Sequence, residues 1–405
     1  MTFAFAPDSF RRQFPALQDN AGVYLDSTAT MLKPLPVIEA SDAYYRSNGA
    51  TVHRSQHQAA ASATRRFEHA RSACAALLNA PDPRQIIWTR GTTESINMVA
   101  NGYLRDRLQP GDEILVGAME HHANLVPWLL LAEQTGAKIV RLPMTEELLL
   151  DISALPALLN PRTKLVAVGM VSNVTGSRQP VEAIIRAAHA VGAVVMLDAA
   201  QAVAHEAVDV QALDADFVAF SAHKLYGPTG VGVLYGKMAL LESMRPWHGG
   251  GKMIQQVSFD GITLAPIPQR FEAGTPNIAG ILAFDAALEW LAQQDLAAAD
   301  QHACALAATA AQQMQAIDGL QLYRPPHAST IIAFNIAGLH HGDLATLLAE
   351  QGIALRAGMH CAQPLTEALG VSGTVRVSFA PYNSEADVSA FISALQRAVA
   401  LLREE

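Results

Sequence analysis

Seven short apolar runs, spaced by helix-like stretches, constrain the fold of this chain more than anything else in it. The runs are Gln85–Trp88, Glu113–Gly117, Lys138–Leu142, Leu165–Met170, Val194–Leu197, Phe217–Phe220 and Gly232–Tyr235. A strand with one face in water alternates polar and apolar residues, whereas one buried on both faces is nearly continuously apolar. These runs read as the second kind. Between them lie segments such as Val181–Ala190, whose apolar positions recur at a helical period. Strands alternating with helices predict an α/β fold with a mainly parallel, seven-stranded sheet covered on both faces. In such sheets ligands bind at the carboxyl ends of the strands. The residues just after each run are therefore the ones to inspect for chemistry.

The pattern changes after about Pro276. An Ala-rich helical region runs from Ile281 to Ile317. Strand candidates follow at Thr330–Asn335 and Val375–Phe379, with a helical segment at Gly342–Glu350 and a closing helix over Glu385–Leu402. This predicts a larger domain over 20–275 and a smaller α+β domain over 276–405, with residues 1–19 packing against the smaller one. Two domains also suit a length of 405 residues.

Composition excludes several classes of function. The formal charge is −9, and no run of adjacent Lys and Arg exceeds a pair, so a phosphate backbone is repelled and no nucleic acid is expected as a direct partner. No stretch is long and apolar enough to span a membrane. The start, Met1 to Phe10, lacks the charged and apolar pattern of a signal peptide. Three cysteines, Cys74, Cys304 and Cys361, with no C-x-x-C spacing fit neither a disulfide framework nor a zinc ribbon, which points to a reducing cytoplasm. His53 and His57 have helical metal spacing but no third ligand nearby, so no metal is expected. Charged residues are only 16% of the chain, which leaves surface to bury between subunits.

The strand ends carry the chemistry. The run Val194–Leu197 leads into Asp198-Ala199-Ala200-Gln201, and the run Phe217–Phe220 leads into Ser221-Ala222-His223-Lys224. An Asp or a Lys at a strand end is commonplace alone. Here a strand-end acid and a strand-end amine open onto one crevice in a chain with six lysines. A lysine amine can bond an aldehyde cofactor, and an acid can keep a pyridinium nitrogen protonated so that the ring accepts electrons. Ser and His can donate hydrogen bonds to a phosphate. Gly91-Thr92-Thr93, opening a helix after another strand, offers backbone N–H groups and hydroxyls to the same kind of group. A P-loop is excluded, because neither Gly236-Lys237 nor Gly251-Lys252 is followed by Ser or Thr.

With these residues in order, the chain resembles the fold-type I enzymes that use pyridoxal 5′-phosphate (PLP). Within them it is similar to the cysteine desulfurase and selenocysteine lyase family. The resemblance runs from Tyr24-Leu25-Asp26-Ser27-Thr28 to Arg376-Val377-Ser378-Phe379-Ala380-Pro381-Tyr382-Asn383. The segment Arg356-Ala357-Gly358-Met359-His360-Cys361-Ala362 resembles the second, short-loop subgroup. Met359 stands where many relatives have His, and Thr175 where Leu is usual.

The resemblance implies roles. Lys224 would bond the cofactor's aldehyde. Asp198 would pair with the ring nitrogen, Gln201 with the phenolic oxygen, and His122 would stack on the ring. Thr92, Thr93, Ser221 and His223 would hold the phosphate, with Thr275 reaching across from a second subunit of a homodimer. Asn173 would contact cofactor and substrate, and with Arg376 would bind the substrate carboxylate. Arg356 and His53 would line the substrate pocket. Cys361 would take sulfur from L-cysteine as a persulfide, leaving L-alanine, and pass it to a small acceptor protein with a reactive cysteine. The same site would serve selenocysteine or cysteine sulfinate. Iron–sulfur cluster assembly, tRNA thio-modification and cofactor sulfuration all stay open as uses of the sulfur. A hydrolase built on Cys361 and a His base would leave Asp198, Gln201 and Lys224 unexplained.

Overall fold

The computed structural model describes residues 3–18, 22–47 and 49–404. Among these residues the largest sheet has seven strands: β1 (Ile86–Thr89), β2 (Glu113–Gly117), β3 (Lys138–Leu142), β4 (Thr163–Gly169), β5 (Val194–Asp198), β6 (Phe217–Ser221) and β7 (Gly232–Gly236). Their order across the sheet is β1-β7-β6-β5-β4-β2-β3. All run parallel except β7, which is antiparallel to both β6 and β1. The apolar runs follow directly from this arrangement. Leu115, Val166, Val168, Val195, Leu197, Val218 and Phe220 pack in one buried cluster, and their alternates Ile114, Val116, Leu165, Ala167, Met196, Phe217 and Ala219 pack in another. Both faces are dry over these strands, so neither set of alternate positions needs polar residues; the edge strand β3, expected to be buried, has only Leu142 buried, because no strand covers its outer side.

The C-terminal part carries a four-stranded antiparallel sheet. Its strands are β8 (Leu320–Tyr323), β9 (Ile331–Ile336), β10 (Arg356–Gly358) and β11 (Thr374–Ser378), in the order β8-β9-β11-β10. Ile332, Phe334, Val375 and Val377 bury their inner face against Phe391, Leu395 and Met314 from the helices. The two central strands lie within a residue or two of their sequence assignments. The outer ones, β8 and β10, are short and half exposed, and apolar periodicity alone misses them. The helical stretch expected over Ile281–Ile317 is two helices, Ile278–Leu291 and Leu296–Met314. The break falls where Asp295 caps the second helix by accepting the Ala298 N–H.

Residue 20, the expected start of the larger domain, lies outside the described residues. Val23–Tyr24 forms a short strand pairing with Ile353–Ala354 of the C-terminal part. The N-terminal segment touches both parts. Phe10 and Phe14 are buried against Tyr226 and Trp290, the Phe14 and Tyr382 rings meet tilted with centroids 4.8 Å apart, and Arg11 pairs with Asp387 at 2.9 Å. No helix among the described residues is long and apolar enough to cross a membrane.

Candidate active site

A cavity of about 240 Å³ lies where the carboxyl ends of the parallel strands meet the C-terminal part. Thr92 and Thr93 reach it from the turn after β1, Glu120 and His121 from the turn after β2, Asn173 from the loop after β4, Asp198 and Gln201 from the end of β5, and Ser221, His223 and Lys224 from the end of β6. Arg356, His360 and Arg376 close it from the other side. A parallel sheet delivers strand ends from far-apart stretches of sequence to one edge, and this is why these residues converge.

At the floor, burial draws the Lys224 amine down to about 8, with the nearby Asp198 carboxylate opposing the shift. Burial raises Asp198 from its ordinary value, while the Ala200 N–H, donating to Oδ1 at 2.9 Å, and Lys224 hold it down. Gln201 donates Nε2 to the Thr28 carbonyl at 3.0 Å, which fixes the turn after β5 against the N-terminal segment.

On one side the Ser221 hydroxyl accepts the Thr92 N–H at 2.8 Å and shares a hydrogen bond with the Thr92 hydroxyl at 2.7 Å. The turn packs this closely because of Gly232 on β7: a Cβ there would sit 2.3 Å from the Gly91 Cα. His223 is drawn down to about 4 by burial and by Lys224 and Lys33. It is therefore neutral near pH 7, and its Nδ1 is buried with no hydrogen-bond partner among the described residues.

The opposite side is cationic. Arg376 is buried, donates Nη1 to the Asn173 carbonyl at 2.8 Å and Nη2 to Asp26 at 3.1 Å, and leaves Nε without a partner among the described residues. Arg356 lies 3.7 Å from the other oxygen of Asp26. Asn173 donates its side-chain amide to the His360 carbonyl at 2.8 Å. Cys361 comes next in the chain, is exposed and is not itself among the residues lining the cavity. Both His360 and Cys361 have left-handed backbone, at φ +53° and +57°, a conformation that costs a non-glycine residue about 1 kcal/mol or more. The Cys361 carbonyl accepts the His122 N–H at 2.7 Å. The loop is thus pinned on both sides of the thiol.

Besides Cys361, three sequence assignments lie outside the cavity lining. His122 does not line the cavity; its Nε2 accepts the Gln363 N–H at 3.2 Å. The preceding His121 lines it instead, its ring drawn down to about 4 by burial and Lys224. Two adjacent histidines in a turn leave opposite sides of the chain, and the sequence carries no signal for which side is inward. His53 also lies outside, exposed, its Nε2 2.8 Å from Glu68. Thr275 is exposed and lines a separate hollow with Arg54 and Lys252. Sequence reasoning missed Glu120 as well as His121; the run Met119-Glu120-His121-His122 just after β2 was the available signal.

These groups fit a phosphorylated aldehyde with a pyridine ring. A buried amine faces a buried acid, hydroxyls and an orphaned imidazole nitrogen cluster at a helix start, and two guanidinium groups stand across from them. The aminotransferase class-V family model matches residues 23–391. The chain belongs to that family. It takes PLP, the family's cofactor. It is 56% identical over 398 residues to the cysteine desulfurase CsdA of Escherichia coli, covering 98% of this chain and 99% of that protein. It is 53% identical to a probable cysteine desulfurase of Vibrio cholerae, covering 98% and 99%. A crystal structure of the Escherichia coli CsdA (S-sulfonic acid) superposes with a TM-score of 0.94 at 55% identity, covering 98% of this chain and all of that one. An apo cysteine desulfurase from Thermococcus onnurineus superposes with a TM-score of 0.94 at 37% identity, covering 99% and 100%.

Proposed function

We propose that the protein is a PLP-dependent cysteine desulfurase that converts L-cysteine to L-alanine, takes the sulfur onto Cys361 as a persulfide and passes it to an acceptor. The observation that carries this reading is a buried lysine and a buried acid at neighbouring strand ends in one cavity, with an exposed, pinned cysteine next in sequence to the lining residue His360. The close relatives named as cysteine desulfurases support it.

Bound PLP supplies an electron sink for the pair left behind when the Cα proton departs. Lys224 would anchor the cofactor through its amine and would accept that proton. Its lowered proton affinity keeps a useful fraction of the amine neutral near pH 7. Asp198 holds a proton on the ring nitrogen. His121, which lines the cavity where His122 does not, would lie against the ring. Thr92, Thr93, Ser221 and the free Nδ1 of His223 hold the phosphate. Arg376, Arg356 and Asn173 hold the substrate carboxylate. The Cys361 thiolate attacks the substrate sulfur; an S–S bond forms, the C–S bond breaks, and its electron pair stays on carbon. The experiment is to supply cysteine, cysteine sulfinate and selenocysteine in turn. Alanine together with Cys361 persulfide is expected from cysteine. Turnover of the other two alone would move the function to a lyase.

Asp198→Ala is expected to lower kcat about 100- to 1,000-fold, the size of losing one preorganised charge contact. Cofactor affinity should fall less, by about 10- to 100-fold, the equivalent of about 1.5–3 kcal/mol for a charged hydrogen bond. Absorbance and turnover measured on one sample separate the two; equal losses would remove the electronic role.

We also propose a cytoplasmic homodimer served by a small acceptor protein with a reactive cysteine. Thr275 and His53, exposed and away from their own cavity, suit delivery to a partner's site. The hairpin Ile254–Ser258 and Gly261–Leu264 leaves Val257, Phe259 and Ile262 exposed, which suits a subunit contact. Light scattering on the loaded protein should give twice the chain mass, and a fully active monomer would refute the dimer.

A further inference from the structure

Glu120 is a buried carboxyl in the cavity wall that the proposed chemistry leaves without a task. It stands in the turn after β2. Its Oε1 accepts the N–H of Gly169, the last residue of the neighbouring strand β4, at 2.9 Å. Its Oε2 accepts the Asn124 side-chain amide at 2.7 Å, and Asn124 in turn accepts the Trp128 indole N–H at 3.1 Å. The carboxyl therefore ties three things together: its own turn, the end of β4 and the start of the following helix. Two glycines make room for it. A Cβ on Gly117 would lie 2.4 Å from Oε1, and one on Gly169 would lie 3.3 Å from Oε2.

The next residue is His121, the ring that faces the cavity. Beyond it the turn is held by the Ala123 N–H, which donates to His121 Nδ1 at 3.0 Å. The imidazole is thus fixed on its far side by its own turn and on its near side by the clamp at Glu120. We infer that Glu120 is a positioning residue that holds the His121 ring in the cavity by clamping the turn after β2 to the end of β4. The inference rests on the stacking role given to His121 above. Burial raises the Glu120 carboxyl to about 8, with Asp198 adding to the rise.

A double-mutant cycle on the PLP-loaded protein tests this, with Glu120→Gln, His121→Ala and the pair. The readouts are the visible circular dichroism band of the bound cofactor, which reports the asymmetry around its ring, and kcat and KM with cysteine. Glu120→Gln should lower kcat about tenfold with KM within about twofold, and shift the dichroism band in the direction His121→Ala does. The double variant should be no slower than His121→Ala alone, because the clamp acts only through the ring. Losses that multiply in the double variant would overturn the inference, as would a Glu120→Gln protein indistinguishable from wild type. A silent His121→Ala would overturn the stacking role itself and this inference with it; an impaired His121→Ala beside a silent Glu120→Gln would sink the clamp alone. If Glu120→Gln fails to fold, Asn124→Ala removes one donor while keeping the acid, and should show the same pattern at smaller size.

Discussion

Lys224→Ala is expected to purify colourless and inactive. On the proposed function the residue has two tasks, anchoring the cofactor and moving the Cα proton, and among the described residues no other lysine lines the cavity. Proton transfer by a placed side chain alone accounts for about 100- to 10,000-fold, and loss of the anchor adds to it. The visible absorbance of the purified protein and alanine release from cysteine are the two measurements. Stability should change little or rise, because burial already disfavours the charged amine. A variant that stays yellow after dialysis would move the covalent anchor to another lysine.

Cys361→Ala is expected to separate sulfur transfer from cofactor chemistry. The variant should stay yellow and lose cysteine desulfuration by on the order of 100-fold, since no other thiol can take its place. Cys74 is buried, and burial pushes Cys304 up to about 12. Activity on cysteine sulfinate and selenocysteine should largely survive, because those leaving groups need no nucleophile to receive them. After one turnover of the wild type, peptide mass spectrometry should find one added sulfur on the Cys361 peptide and none on the other two. The loop also sets how that sulfur leaves. With the carbonyls of His360 and Cys361 each hydrogen-bonded across the cavity rim, to Asn173 and to the His122 N–H, the thiol cannot travel far. An acceptor must come to it, and a cysteine-bearing acceptor protein should raise turnover with cysteine. Normal desulfuration by Cys361→Ala would return the function to a lyase.

Much of this was legible from residue types. Asp198, Gln201, Ser221, His223 and Lys224 stand at the ends of strands whose apolar runs announce themselves, and a parallel sheet sends all such ends to one edge. Arg356 and Arg376 were legible through resemblance only, since periodicity missed the edge strand that carries Arg356. Glu120 had only its strand-end position as a signal, because a glutamate in a turn is ordinarily solvated. It is buried here only because Gly117 and Gly169, on two separate strands, leave a seat for it.

By itself the sequence determined what depends on local pattern: the seven sheet strands, all but the edge strand Lys138–Leu142 largely buried, the acid and amine at their ends, and a cysteine in a loop. Apolar periodicity and strand-end position are properties of a few adjacent residues, so they can be read without a fold. The tertiary structure alone decided which of two adjacent histidines faces inward, that His53 and Thr275 stand away from their own cavity, and that Val23–Tyr24 joins a strand over 300 residues distant. Each of these depends on what packs on the far side of a turn or strand, and that neighbour comes from a remote part of the chain.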